Sequence, residues 1–322
     1  MEAKQSMLDV ITIGDGMITF DPQSKGPLRF VHQFERKIGG AELNVILGCA
    51  RLGLKAGWIS RLGKDEFGRH IVNTMRGEGV DISEVKLMEG YATSLNFKEV
   101  RENGNGRTFY YRQKSPTETL TPELLPEAYI AGARILHVTG VFPAIQENNR
   151  AVILRALQLA KRHGVKVSFD PNIRLRLWSR ELARATLLTY LPYVDFMLAG
   201  REEMELIFES GEQKVWEQAI QRYAFEHVVV KDGENGSYAF MDGRWVHQPA
   251  FPVAKVVDTV GAGDGFDAGF LYGVIHGWPI GQTLEFANAI GAMVVQVHGD
   301  NEGLPYLEEV EGFLGMREVV ER

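Results

Sequence analysis

Cysteine is nearly missing from this sequence: among 322 residues, Cys49 is the single thiol. That excludes an internal disulfide and any metal site built on cysteine pairs. Cys49 lies in the apolar stretch Asn44-Val-Ile-Leu-Gly-Cys-Ala-Arg-Leu52, where a small buried side chain is the expected role. No run of about 18 apolar residues occurs, so nothing is expected to span a membrane. The opening Met-Glu-Ala-Lys-Gln-Ser lacks the apolar core of a secretion signal. A cytoplasmic protein is therefore expected, and Asn235-Gly-Ser237 reads as a turn, not a glycosylation site. Positive charge is in deficit, with 35 Lys and Arg against 42 Asp and Glu and a net charge of −7. Nucleic acid is thus an unsuitable partner, and an anionic substrate needs locally placed cations. A Walker A loop is missing too: Gly63-Lys64 is the one Gly-Lys pair and lacks its partner glycine.

What is present is alternation. Short β-branched runs at 9–13, 56–60, 134–138, 165–169, 194–198 and 227–230 are separated by helical periods at 41–52, 66–78, 148–163, 179–191 and 214–225. Strands and helices in this order imply right-handed βαβ units on a mostly parallel sheet, with ligands beyond the carboxyl ends of the strands. No low-complexity tract, repeat or linker divides the chain, so residues 1–322 read as one α/β domain. Two segments, 15–38 and 91–113, break the pattern. The second reads as strands 94–101 and 107–113 around Glu102-Asn-Gly-Asn-Gly106, a hairpin signal. Together they suggest a small β-lid over the main sheet; a plain edge hairpin of that sheet is the alternative.

The most informative stretch is Val257-Asp-Thr-Val-Gly-Ala-Gly-Asp-Gly-Phe-Asp-Ala-Gly-Phe270. Gly261, Ala262 and Gly263 lead into a helical period from Asp264 to His276. Glycines before a helix let backbone N–H groups converge where the helix dipole is positive, which makes an anion site. Asp264, in the first turn, could accept a proton from a bound hydroxyl, and the helix terminus is expected to keep its pKa low. Anion hole and base side by side are what hydroxyl phosphorylation requires. A capped helix start explains Gly-Ala-Gly-Asp equally well when it stands alone.

At full length this segment resembles the second signature of the ribokinase-like (PfkB) sugar kinases, Asp-Thr-x-Gly-Ala-Gly-Asp-x-Phe. Lys37-Ile-Gly-Gly-Ala-Glu-Leu-Asn44, Ala50-Arg-Leu-Gly53 and Arg61-Leu-Gly-Lys-Asp-Glu-Phe-Gly68 resemble the first signature. The resemblance implies a three-layer α/β/α fold with a β-lid, ATP and Mg²⁺ as requirements, and room for a monovalent cation. It implies Asp264 as the base and Gly39, Gly40 and Asn44 as sugar-facing. It also implies Lys231, Gly233 and Gly236 beside the triphosphate and Asn288 at the adenine. The family's Asn-x-x-Glu, which organises the magnesium waters, here reads Gly200-Arg-Glu-Glu203, so Glu203 keeps the carboxylate while Gly200 replaces the amide.

For the acceptor, Arg112 beside Tyr110 and Tyr111, and Arg174 after Asp170-Pro-Asn, place two guanidinium groups at ligand-facing positions, which suits a carboxylate. Phe-Tyr-Tyr-Arg112, His137-Val-Thr-Gly140, Asp170-Pro-Asn-Ile-Arg-Leu-Arg-Leu-Trp178 and Gly299-Asp-Asn-Glu-Gly-Leu-Pro305 are similar to the 2-keto-3-deoxygluconate kinases. That implies Tyr110, Arg112 and Arg174 around a sugar acid, with Asn96 where some members have Tyr. Ribokinases grip neutral sugars with an Asp in the first loop, a role that Gly14-Asp-Gly-Met-Ile-Thr19 fits poorly. The alternatives are a kinase for a neutral ketose such as fructose, a dinucleotide-dependent oxidoreductase and a non-catalytic sugar sensor. The oxidoreductase is opposed by the lack of Gly-x-Gly-x-x-Gly after the first strand. By analogy, the exposed lid face pairs with a second subunit's.

Overall fold

The structure, a computed structural model, describes residues 8–101, 106–241 and 243–316. The turn residues 102–105 and the opening hexapeptide lie outside the described residues. Among the described residues, thirteen strands run in chain order: β1 (Leu8–Ile13), β2 (Met17–Pro22), β3 (Phe34–Gly39), β4 (Ala56–Gly63), β5 (Val85–Met88), β6 (Ser94–Val100), β7 (Gly106–Tyr111), β8 (Ala133–Thr139), β9 (Lys166–Asp170), β10 (Phe196–Gly200), β11 (His227–Lys231), β12 (Ser237–Met241) and β13 (Arg244–Gln248). Nine of them form one sheet in the order β13-β12-β11-β10-β9-β8-β1-β4-β5. All its pairs are parallel except β11–β12 and β12–β13.

The alternation of side chains along buried strands feeds two apolar layers. On β10, Met197 and Ala199 pack to one side and Phe196 and Leu198 to the other. The first layer holds α3 (Glu127–Ala131), α4 (Val141–Ile145), α5 (Glu147–His163), α6 (Arg180–Tyr190), α7 (Arg201–Phe208) and α8 (Gln213–Tyr223), through residues such as Ile153, Leu187, Met204 and Trp216. The second holds α1 (Ala41–Arg51), α2 (Glu66–Gly77), α9 (Ala262–Ile275), α10 (Ile280–Val294) and α11 (Leu307–Phe313), through Leu43, Ile71, Phe270, Ile290 and Val310. This is the three-layer α/β/α arrangement.

Helix α9 is buried along most of its length because small residues let its neighbours close in. A Cβ on Gly269 would stand 2.8 Å from Ile290 and 2.9 Å from the Ala287 Cα, and one on Gly265 3.1 Å from Ile290. Ala268 meets Gly48 of α1 in the same way, at 2.8 Å from an added Cβ. The start of α9 is thereby fixed against both α1 and α10, at the carboxyl end of the sheet.

The remaining strands form a separate sheet, β3-β2-β6-β7, with β2–β6 parallel and the outer pairs antiparallel. It is not an edge hairpin of the main sheet. Register sets Lys37, Thr19, Asn96 and Tyr110 in one row across it and Arg36, Phe20, Phe97 and Phe109 in the next, on the opposite face. The second row carries an aromatic cluster in which Phe20 stacks on Phe97 at 4.7 Å and Phe34 and Tyr111 meet Phe97 edge-on.

Candidate active site

The first row of the small sheet faces a cavity of about 670 Å³ at the carboxyl ends of β9, β10 and β11. Asp15, Gly40, Glu42, Asn44, Asn96, Lys98, Tyr110, Arg112, Asp170, Asn172, Arg174, Glu203, Lys231, Gly261, Gly263, Asp264 and Asp300 line it. Among the sequence candidates, Gly40, Asn44, Asn96, Tyr110, Arg112, Arg174, Lys231, Gly261, Gly263, Asp264 and Glu203 therefore share one cleft.

Its centre is the entrance of α9. Gly261 precedes the helix with φ 79°, and a Cβ there would strike the Asp300 carbonyl, so only glycine fits. The first helical bond runs from Gly265 N–H to the Gly261 carbonyl at 2.8 Å, which leaves the N–H groups of Gly263 and Asp264 outside the helix ladder. Ala262, expected in the anion hole, instead donates its N–H to the Thr259 carbonyl at 3.4 Å and closes the turn.

Asp264 is 7% exposed. Asn44 Nδ2 donates to its Oδ2 at 2.8 Å and Asn172 Nδ2 to its Oδ1 at 3.5 Å, so two amides orient the carboxyl. Asn44 thus bonds Asp264 through one Nδ2 hydrogen and Asn301 through Oδ1, and it lines the cavity. The expected low pKa does not hold in the cleft. Burial pushes Asp264 up to about 7, the Asn44 bond opposes this, Asp170 adds to it, and Arg174 and Lys231 pull back. Desolvation outweighs the helix terminus here.

Of the other acids lining the cavity, Asp15 lies in the loop that the sequence made a poor fit for gripping a sugar, and Glu42 was not a candidate. Asp15 is 2% exposed, and its carboxyl oxygens form no well-aligned hydrogen bond, with Ser94 and the Gly16 N–H as weak donors. Burial raises its pKa while Arg112 opposes. Gly14 and Gly16 are packed against Glu42 and Trp58, with no space for a Cβ, so Asp15 is the one side chain this loop can present. The signal was Gly-Asp-Gly at the carboxyl end of a central parallel strand. Glu42 accepts from Thr139 Oγ1 at 2.6 Å and Phe142 N–H at 3.2 Å; burial lifts it to about 7, with Asp15 and Asp264 adding.

From the lid, Arg112 stacks its guanidinium 4.5 Å from the Tyr110 ring and gives Nη2 to Met17 Sδ at 3.1 Å. Its Nε and Nη1 are buried without partners. Asn96 donates to the same sulfur at 3.0 Å and leaves its own Oδ1 unpaired. Thioether sulfur is a weak acceptor, so these donors remain available to a better one. Lys98, which the sequence reading also passed over, bonds Asp300 Oδ1 at 2.6 Å and Asp21 Oδ1 at 3.2 Å. His298 bridges Asp21 and Asp258 at 3.3 and 3.2 Å. The lid is thus tied to the loops on either side of the α9 entrance.

The remaining candidates fall elsewhere. Gly39 lies beneath Asp300 and Thr19, off the cavity. Gly233 and Gly236 shape the turn after β11 with φ 54° and 89°, also outside it. Asn288 of α10 donates to the Gln248 and Pro249 carbonyls at 3.0 and 3.2 Å. A Cβ on Gly236 would meet that same Gln248 carbonyl, so Gly236 and Asn288 converge on one strip of backbone. Glu203 accepts from Gly200 N–H at 2.8 Å and Ile173 N–H at 2.7 Å. Among the described residues, no group of three or more His, Cys, Asp or Glu could hold a metal ion. Nor is any helix among them long and apolar enough to cross a membrane.

Cleft, lid and helix entrance define a phosphotransferase-type site, and comparison with known proteins gives its family. The profile of the pfkB family carbohydrate kinases matches residues 7–307, and the chain belongs to that family. It is 34% identical over 316 residues to the 2-dehydro-3-deoxygluconokinase of Bacillus subtilis (strain 168), covering 97% of both chains. It is 32% identical over 320 residues to a 5-dehydro-2-deoxygluconokinase of Halalkalibacterium halodurans, covering 97% of this chain and 96% of that one. An E. coli protein solved in complex with ATP and Mg²⁺ superposes with a TM-score of 0.89 at 25% identity, over 97% of this chain and all of that one. The protein is an ATP-dependent carbohydrate kinase, which removes the oxidoreductase alternative.

Proposed function

We propose that the protein transfers the γ-phosphoryl group of ATP to the primary hydroxyl of 2-dehydro-3-deoxygluconate, giving the 6-phosphate and ADP. The observation that carries this reading is the pairing, in one cleft, of an oriented buried carboxyl with a guanidinium whose Nε and Nη1 are unpaired: Asp264 and Arg112. Asp264 takes the hydroxyl proton as the oxygen attacks. The N–H groups at the start of α9 and the Lys231 ammonium receive the charge on the transferred group. Arg112, with Arg174 across the cleft, binds the carboxylate of the sugar acid, and Tyr110 flanks it. The lid excludes water that would otherwise intercept the phosphoryl group.

Mg²⁺ belongs to this chemistry as a companion of the nucleotide phosphates. The oxygens of Glu203 are engaged by backbone N–H groups, so the residues present suit an ion carried by phosphate and water with Glu203 at most behind a water. Gly233, Gly236 and Asn288 flank the nucleotide end of the cleft in this reading. The reaction's need for ATP puts it in the cytoplasm. Lid-to-lid pairing of two copies would cover Phe109 and Tyr111, which are 38% and 61% exposed; Tyr111→Lys would then halve the mass seen by sedimentation.

A neutral ketose is the second reading, favoured by Asp15, whose oxygens lack a well-aligned donor and suit hydroxyl groups. The test is a phosphorylation screen with ATP over 2-dehydro-3-deoxygluconate, 5-dehydro-2-deoxygluconate, fructose and ribose, in K⁺ and in Na⁺. Preference for the first acid supports the reading, and preference for a neutral sugar overturns it. Arg174→Ala should weaken use of the acid far more than of its neutral analogue; equal loss on both removes the carboxylate role.

A further inference from the structure

Beneath the entrance of α9 lies a charged cluster that the mechanism above enters only through its lysine. Lys231 Nζ is 3.0 Å from Asp170 Oδ2 and 3.0 Å from Asp267 Oδ1. Asp267, one turn past Asp264, is fully buried, and Asp170 is 2% exposed. One ammonium thus holds the two carboxyls side by side, while Asp267 Oδ2 is buried without a hydrogen-bond partner.

Two touching carboxyls attract only when one carries a proton, and in the interior a single ammonium does not offset two negative charges. The donors show which acid is ionised. Asp170 accepts the Asn172 N–H at Oδ1, at 3.0 Å, and Lys231 at Oδ2, so both its oxygens act as acceptors. A hydrogen on Asp267 Oδ2 would give that buried oxygen, otherwise without a partner, a donor's role toward Asp170.

No other titratable neighbour supplies a balancing charge. Burial lowers His137 to about 4, so its imidazole is neutral; Asp170 raises it and Lys231 lowers it further. Burial, with Asp267 adding, keeps the Cys49 thiol protonated. Burial and then Asp170 raise Glu203, and burial raises Asp264 to about 7. Burial likewise lifts Asp267 well above its ordinary value against the pull of Lys231, with Asp170 adding. Burial would raise Asp170 too, but Lys231 and the Asp267 hydrogen bond hold it below the ordinary range.

We propose that Asp267 is a positioning residue acting as a neutral carboxylic acid: it donates a proton to Asp170 through Oδ2 and steers the Lys231 ammonium through Oδ1. A Cβ on Gly263 would stand 3.7 Å from Lys231 Nζ, so the steered ammonium lies directly under the anion hole. With one ionic and one neutral partner, Lys231 keeps attraction to spare for a phosphate. The inference rests on the kinase reading for what Lys231 meets, but the proton itself is observable without turnover.

The test compares Asp267→Leu, Asp267→Asn and Lys231→Met. Asn reproduces a protonated acid, with an N–H donor toward Asp170 and a carbonyl toward Lys231. Asp267→Leu and Lys231→Met should each raise KM for ATP about tenfold or more while leaving KM for the sugar near its original value. Asp267→Asn should recover to within about threefold of the parent, as an isosteric neutral partner does. Infrared spectra of the parent minus those of Asp267→Asn, at the pH of the kinase assay, should show a protonated-carboxyl band. If Asp267→Asn is as damaging as Asp267→Leu, or the wild-type protein lacks the band, the proposal fails. If instead the wild-type protein phosphorylates no acceptor, the kinase reading fails, and the band still reports on the proton.

Discussion

The two ends of the cleft are built on opposite principles. At the helix entrance the polar groups are largely satisfied from within: Asn44 and Asn172 hold Asp264, and Asp170 and Asp267 hold Lys231. Under the lid they are left open: Asp15 has two oxygens without a well-aligned donor, Arg112 two unpaired nitrogens and Asn96 an unpaired carbonyl. Buried polar atoms without partners are costly, and under the lid several of them line one cavity. In the proposed function, the contrast means that phosphoryl transfer is preorganised, while acceptor choice falls to groups completed when the sugar arrives.

Breaking the preorganised end should cost most. Asp264→Asn keeps the shape and the Asn172 contact but removes the base, and kcat should fall on the order of 10²- to 10⁴-fold. Binding of ATP, measured by calorimetry, should stay near that of the parent; near-normal turnover would remove the assignment. Breaking the open end should act on one substrate class. Arg112→Met removes the charge-assisted bonds, and kcat/KM for the sugar acid should fall about 10- to 100-fold with little change for a neutral analogue. The pH profile sharpens the comparison further. Because burial places Asp264 at about 7, kcat/KM should rise with pH and level off above that value. A limb that is flat from about pH 5 upward would mean the base is already ionised, as an unperturbed Asp would be.

The sheet was legible in the sequence because buried parallel strands read as short β-branched runs: 227–230 against the observed β11, 134–138 against β8. The helix start at 261–264 was legible because its glycines leave few alternatives. Other features were hidden for physical reasons. β5 is a four-residue edge strand with no fully buried side chain, so it carries little periodic signal. The pKa of Asp264 follows from desolvation by elements distant in sequence, notably α1 and the loop after β9. Asp15 read as a poor fit because its role depends on Gly14 and Gly16 being sealed by Glu42 and Trp58, which only the packing reveals.

The preorganised end should also leave a small trace in stability. Asp264 has an ordinary pKa of 3.8 and Glu42 of 4.5, and burial places both at about 7 in the folded protein. The folded state therefore holds these protons more tightly than the unfolded chain does. The stability they contribute is complete below the unfolded values and is lost as pH rises through 7, where ionising a buried carboxyl opposes folding. Asp264→Asn removes one such group but sets an amide N–H against Asn44 Nδ2, so its stability relative to the parent should rise between pH 4 and pH 8. A tenfold difference in proton affinity between the folded and unfolded states is worth about 1.4 kcal/mol, so that rise should be about 2 to 4 kcal/mol by urea denaturation. A variant that gains nothing on the parent over this range would show that Asp264 is ionised and well compensated in the folded protein. Burial would then not be what sets the charge of the base.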